Sequence, residues 1–311
     1  MRKVLTVLAV VIVLGMIAVG ALTWLGGQRG APGGPGTADP SAEGALNVAP
    51  APEQPDWCPA VQVMAAPGTW ESNPQDDPLN PQHQPSYLSM VTQPLSQAYA
   101  PTDVRVWTLP YSAQFRNITN MNQLSFDESR AEGQQKFNAE LAFMNSTCPG
   151  TEFILFGFSQ GAGIVGDVAN EIGTGVGAVP VEKVRGVALI ADPRREPGVG
   201  VTAGADVPGV GVEIAMQPVN SAIQFVVPNA SMRGPRPGGF GSLSDRVYQV
   251  CAVGDLVCDA PRDIGNSLDR AHQLITGNPV HAQYGFNQSI FDGPTANEWL
   301  LQWTHDHINA P

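Results

Sequence analysis

Phe153-Ile-Leu-Phe-Gly157-Phe-Ser159-Gln-Gly161-Ala-Gly163 is a short apolar run that stops at a glycine-flanked serine. Ile164, Val165 and a helical pattern reaching Ile172 follow it. The order strand, tight turn, helix is what a G-x-S-x-G nucleophile motif requires. The turn forces the serine into a strained backbone conformation and exposes its hydroxyl, while the small residues two positions away let neighbouring chain pass close. The amide of Gln160 then lies at a helix N-terminus, where it can stabilise an oxyanion.

Outward from this motif the pattern alternates. Strands are predicted at 61–66, 103–109, 152–158, 184–190 and 247–252. Helices are predicted at 86–99, with a break at Pro94, and at 127–145, where Phe137, Leu141 and Met144 fall at helical spacing behind Ser125. Further helices are predicted at 160–172, 263–275 and 295–308. Such alternation implies an α/β fold, a mostly parallel central sheet covered on both faces. Residues 196–244, rich in Gly, Pro and Val, show no period; a loop of that length is read either as a lid or substrate-shaping insertion or as a disordered surface excursion.

The 311 residues carry 28 acidic and 16 basic side chains, a formal charge of −12, which disfavours a nucleic-acid partner. Met1-Arg2-Lys3 precedes an apolar stretch of 22 residues, Val4 to Leu25. Charge followed by apolar length is the signature of an export signal or a membrane-spanning anchor, and either one places the body outside the cytoplasm. Val19-Gly20-Ala21 resembles a cleavage site. Residues 26–56 read as a Pro/Gly/Ala-rich tether, and the globular domain is expected over 57–311. The four cysteines form an even set for an exported chain. Of three possible pairings, Cys58–Cys148 with Cys251–Cys258 is favoured.

A serine nucleophile needs a base and an orienting carboxylate, in chain order Ser, acid, His on this kind of scaffold. Asp255, in Cys251-Ala-Val-Gly-Asp255-Leu-Val-Cys258, follows a strand and lies inside the short cysteine loop; its rivals are Asp192 and Asp259. Among the histidines, His281 occupies a loop between breakers downstream of Asp255. His83 precedes the serine in a Pro-rich loop, His272 falls in a helical pattern, and His305 and His307 lie on the last helix. Thr69, in the loop after the first strand, is the candidate second oxyanion donor. No zinc spacing, Walker loop or dinucleotide fingerprint is present, so no cofactor or metal is expected.

Together these segments resemble the cutinase family: Cys58-Pro with the Gly68-Thr69 loop, Gly157-Phe-Ser159-Gln-Gly-Ala162, Cys251-x-x-Gly-Asp255-Leu-Val-Cys258 and His281-x-x-Tyr284-Gly285. Pro67-Gly-Thr-Trp-Glu-Ser72, Asp127-Glu-Ser-Arg-Ala-Glu-Gly133, Ala191-Asp-Pro-Arg-Arg195 and Gly234-Pro-Arg-Pro-Gly-Gly-Phe-Gly241 are similar to its membrane-anchored branch in mycobacteria and corynebacteria, phospholipase/thioesterases of mycolic-acid envelope synthesis. The resemblance implies an α/β-hydrolase three-layer sandwich with Ser159 as nucleophile, His281 as base, Asp255 as orienter, and the amides of Thr69 and Gln160 as oxyanion hole. It implies the same two disulfides and a lipid or other acyl-ester substrate; a monomer is expected. Trp70, the 196–244 insertion and the membrane-length N-terminus depart from plant-polymer cutinases and point to a lipid-envelope substrate. An acyltransferase using the same acyl-enzyme, or a silent lipid- or glycan-binding envelope protein, are the alternatives.

Overall fold

The computed structural model describes residues 54–117, 119–263, 273 and 278–310. The apolar segment 1–25, nearly all of the tether, His272 and almost all of the expected 263–275 helix lie outside them. Among the described residues no helix is long and apolar enough to cross a membrane.

Six strands form one sheet: β1 Val61–Ala66, β2 Val104–Thr108, β3 Glu152–Phe158, β4 Val184–Ile190, β5 Val201–Ala203 and β6 Val247–Val250. Their order is β2-β1-β3-β4-β6-β5 and every pairing is parallel. The strands are mostly apolar because both faces are buried. Period-two alternation then divides their side chains. Phe153 and Leu155 join one core with Met64, Trp107, Val187 and Leu189; Ile154, Phe156 and Phe158 join the other with Val63, Val106 and Ile190.

The first face is covered by α2, Phe126–Thr147, and α3, Gln160–Gly173, through Phe137, Leu141, Met144, Ile164, Val165 and Val168. The second is covered by α1, Ser89–Ala98, and by α6, Ala296–Asn309, through Val91, Leu95, Leu300 and Trp303. Each such large side chain contributes about 1.5–3 kcal/mol on burial. Helix α2 starts at a capping box made by Ser125 and Glu128, and α6 at one made by Thr295 and Glu298. Pro94 does not break α1, contrary to the reading of the sequence. The ring removes one backbone donor, and the buried Val91, Thr92 and Leu95 around it hold the helix together.

Two disulfides staple the domain. Cys58–Cys148 ties the approach to β1 to the end of α2 across 90 residues. Cys251–Cys258 closes a short ring just after β6. Loop-length arguments give about 4–5 kcal/mol for the first and about 2–3 kcal/mol for the second.

The aperiodic segment 196–244 has an order of its own. It contains the edge strand β5 and two short helices, α4 Val212–Met216 and α5 Asn220–Val226. A lattice of four arginines and four carboxylates, most of them buried, fastens it to α2, α3 and the turn after β4. Arg236 reaches Asp192 with both terminal nitrogens, at 2.6 and 3.0 Å, and Asp167 of α3 at 2.8 Å. Arg194 and Arg233 also bind Asp167, at 2.8 and 3.1 Å. Arg233 continues to Asp127, and Arg130 of α2 joins Asp127 to Glu213 of α4. Helix α5 carries none of these groups and buries no side chain.

Burial pushes the Asp167 carboxyl up, but Arg236, Arg194, Arg130 and Arg233 more than offset this and hold it below the usual range. A carboxyl with a depressed folded pKa stabilises above its unfolded value, and that contribution fades as pH falls through the folded one. Asp167→Ala takes the carboxylate shared by Arg194, Arg233 and Arg236, leaves Arg194 with carbonyl partners only, and should cost about 3–5 kcal/mol in chemical unfolding at neutral pH. The deficit should shrink toward acid, where wild type also loses this contribution. A loss below about 1 kcal/mol would show that the lattice does not hold the insertion.

Candidate active site

Ser159 follows the last residue of β3 and precedes the first of α3. Its φ of 55° and ψ of −118° are strained for a residue with a side chain, at a cost of about 1–3 kcal/mol. The neighbouring chain holds it there: the Ser159 amide donates to Ile190 O at 2.9 Å, and its carbonyl accepts from Gly163 at 3.0 Å. The flanking glycines are required by contact. A Cβ on Gly157 would lie 2.3 Å from Gly161 O, and one on Gly161 would lie 1.9 Å from Ala66 O. The crossing of β1, β3 and α3 therefore admits no side chain at either position.

Asp255 is fully buried within the Cys251–Cys258 ring. Its Oδ1 accepts from the Val257 amide at 3.0 Å and from Asn278 Nδ2 at 2.7 Å. Its Oδ2 accepts from Tyr284 Oη at 2.8 Å and lies 2.9 Å from His281 Nδ1. Burial pushes this carboxyl up; the His281 ring, the Val257 amide and the Tyr284 hydroxyl outweigh burial and hold it below the usual carboxylate range. Asp255 is thus an acceptor only, and the proton between it and His281 sits on Nδ1. Nε2 is left to accept, and it lies 2.9 Å from Ser159 Oγ. His281 is also stacked on Phe158, with ring centres 5.1 Å apart and planes 17° apart.

Tyr284 and Asn278 complete this cradle, and reading the sequence did not single either out for it. Tyr284 Oη accepts from the Ala252 amide at 2.9 Å while donating to Asp255. Burial, then the Asp255 charge, push its pKa well up, so it stays protonated and keeps donating. The only signal in the chain was the position of Tyr284 three residues after His281.

Thr69 lies in the loop after β1, two residues beyond Pro67, and Gly161 at the N-terminus of α3 packs against Ala66 and Pro67 of that loop's start. Among the described residues, neither the Thr69 nor the Gln160 amide donates to a protein acceptor. The Gln160 side chain is buried and bonded to Ser129 and to Gln114 O at 3.1 and 3.0 Å.

The rival residues are engaged elsewhere. Asp192 belongs to the arginine lattice. Asp259 accepts from the Gly209 and Gly254 amides. His83 bonds Trp70 O, His305 bonds Tyr99 and His307 bonds Trp303 O. Among the described residues no group of His, Cys, Asp and Glu can hold a metal ion.

A strained serine at the C-terminal edge of a parallel sheet, facing a histidine held by a buried aspartate, defines a serine hydrolase of the α/β class. The Cutinase family model matches residues 57–282, and the chain belongs to the cutinase family of carboxylic-ester hydrolases. It is 51% identical to the carboxylesterase Culp6 homolog of Corynebacterium glutamicum over 99% of each chain. Similar folds include an acetyl xylan esterase, 18% identical with a TM-score of 0.50, covering 81% of this chain and 100% of that one. A cutinase-like protein from Cryptococcus sp. is also 18% identical with a TM-score of 0.50, over 83% and 99%. At that identity the likeness concerns the fold alone.

Proposed function

We propose that this is an extracytoplasmic serine esterase that hydrolyses lipid acyl esters or thioesters, with Ser159 as nucleophile, His281 as base and Asp255 as orienter. The observation that carries the roles is the unbroken row Asp255–His281–Ser159, with 2.9 Å at each step. His281 takes the Ser159 proton as Oγ attacks the acyl carbonyl. The amides of Thr69 and Gln160 receive the oxyanion, and the carbonyl re-forms as His281 returns the proton to the departing alcohol or thiol. Water, deprotonated by His281, then attacks the acyl-enzyme and releases the acid.

Three site loops support a lipid substrate. Trp70 beside Thr69, Val253 beside the Asp255 turn and Phe286 after His281 are 50%, 68% and 79% exposed. Each loop that carries a proposed site residue thus offers an apolar side chain to solvent. The motifs shared with the mycolate-envelope branch favour phospholipase A/thioesterase chemistry in cell-envelope lipid metabolism. The two disulfides suit an oxidising compartment. Residues 1–25 serve as signal or anchor, 26–56 as tether and 57–311 as the catalytic unit, a monomer. A panel of phospholipids, acyl thioesters and short soluble esters, run with the full chain and its Ser159→Ala variant, tests this. Hydrolysis of the lipid and thioester members that vanishes in the variant is expected; turnover of short esters alone would refute the substrate assignment.

The Cys251–Cys258 ring orders the Asp255 turn. Replacing both cysteines by serine should reduce kcat by about tenfold to a hundredfold, about 1.4–2.7 kcal/mol of barrier, as the Asp255 turn loosens and the His281 orientation is less well held. Unchanged kcat with the ring open would separate the ring from catalysis.

A further inference from the structure

Glu71 is a mostly buried carboxylate to which nothing above assigns a role. Its Oε2 accepts from the Gly68 amide and from the Tyr87 amide, both at 3.2 Å. The first bond closes the turn that contains Thr69, and the Glu71 amide closes it again by donating to Gly68 O at 3.1 Å. The second bond reaches the segment that leads into α1. The Tyr87 ring packs on Phe158 at 4.6 Å, and Phe158 is the ring stacked on His281. One oxygen therefore connects the loop bearing an oxyanion donor to the aromatic wall behind the base. The other side of the loop is pinned independently: Trp70, at a φ of 62°, donates its amide to Ala113 O at 2.6 Å and its indole N–H to Gln123 at 2.9 Å.

We propose that Glu71 is a positioning residue for the oxyanion hole, holding the Thr69 amide in line by bonding the Gly68 and Tyr87 amides together. The inference rests on the reading of Thr69 as a hole donor. The carboxylate costs something in this place, since burial pushes its pKa up against the lowering pull of those two amides. The charges that face it are His281 and His83, and the Tyr87 and Tyr111 hydroxyls lie in its field. Oε1 has no protein partner among the described residues, and a small cavity lined by Glu71, Asp76, His83 and Ser86 adjoins the side chain. A glutamine can therefore keep its carbonyl oxygen on both amides and turn its NH₂ toward that cavity. It preserves the two bonds and deletes the charge.

Removing a whole oxyanion donor costs about 10²–10³ in kcat, so a displaced one should cost about tenfold to a hundredfold. Glu71→Ala is expected to lower kcat by that factor with KM within about twofold. Affinity for a trifluoromethyl ketone, whose hemiketal oxygen occupies the hole, should fall in proportion to kcat/KM. Glu71→Gln should restore most of both. Should the alanine variant fail to fold, Glu71→Asp, one methylene too short to reach both amides, takes its place against Glu71→Gln. Glutamine as impaired as alanine, or a defect confined to KM, would overturn the proposal. Fluorophosphonate labelling of Ser159 in wild type serves as the control for the site itself. If Ser159 labels and the Glu71 variants behave as wild type, this inference alone falls; if Ser159 does not label, the underlying site reading falls.

Discussion

Ser159→Ala should lower ester turnover by about 10⁴–10⁶-fold while leaving the unfolding transition near that of wild type. Among the described residues the hydroxyl is the only nucleophile offered to His281 Nε2, at 2.9 Å, and the strained backbone keeps it there without help from its own side chain. Removing Oγ therefore deletes the attacking atom and disturbs little packing; an alanine at φ 55° carries the same backbone strain that serine does. Residual activity should come from the oxyanion donors alone. Initial rates on an activated ester, with fluorophosphonate labelling as a parallel readout, decide the matter. A variant within tenfold of wild type would remove Ser159 from the chemistry.

Asp255→Asn should cost about 10⁴-fold in kcat, a figure seen when a triad acid becomes its amide. The reason here is donor counting. In one orientation the amide NH₂ takes the Oδ2 position, faces Tyr284 Oη and donates to His281 Nδ1. The imidazole proton then moves to Nε2, which donates toward Ser159 when it needs to accept. In the other orientation the NH₂ faces the Val257 amide and Asn278 Nδ2, placing donor against donor in a buried pocket. Neither arrangement satisfies the site. Steady-state kinetics should show the loss in kcat, and a drop smaller than tenfold would mean that Asp255 does not set the His281 tautomer.

Much of the scaffold was legible because it depends on local pattern. The bounds of β3 and β4 and the cap at Ser125 follow from apolar runs and short-range hydrogen bonding, which a one-dimensional reading captures. Ser159, Asp255 and His281 were selected by turn chemistry and chain order, and the fold brings these three into hydrogen-bond reach. Pro94 was misjudged because a propensity rule was applied where tertiary burial decides. Asp192 stood as a rival acid because its position after β4 resembles that of a triad member; its arginine partner is 44 residues away in sequence. The same blindness hid the order within 196–244. Three-residue strands and helices of five to seven residues are too short to show a period. The ion pairs that fasten them join segments up to 106 residues apart. Tyr284, Asn278 and Glu71 bond to backbone or carboxylate groups that, Gly68 aside, lie 16 to 32 residues away, for which composition carries no trace.

The division of the insertion into a fastened part and a bare one bears on how such an enzyme can diversify. Any one of the eight interlocked charges is constrained by its companions, so drift at those positions has to be concerted. Helix α5 lies outside that bargain: Phe225 and Val226 point outward and hold nothing in place. New side chains can be tried there without unsettling the frame beneath, which makes this short helix a natural site for trial and error beside an otherwise conservative machine.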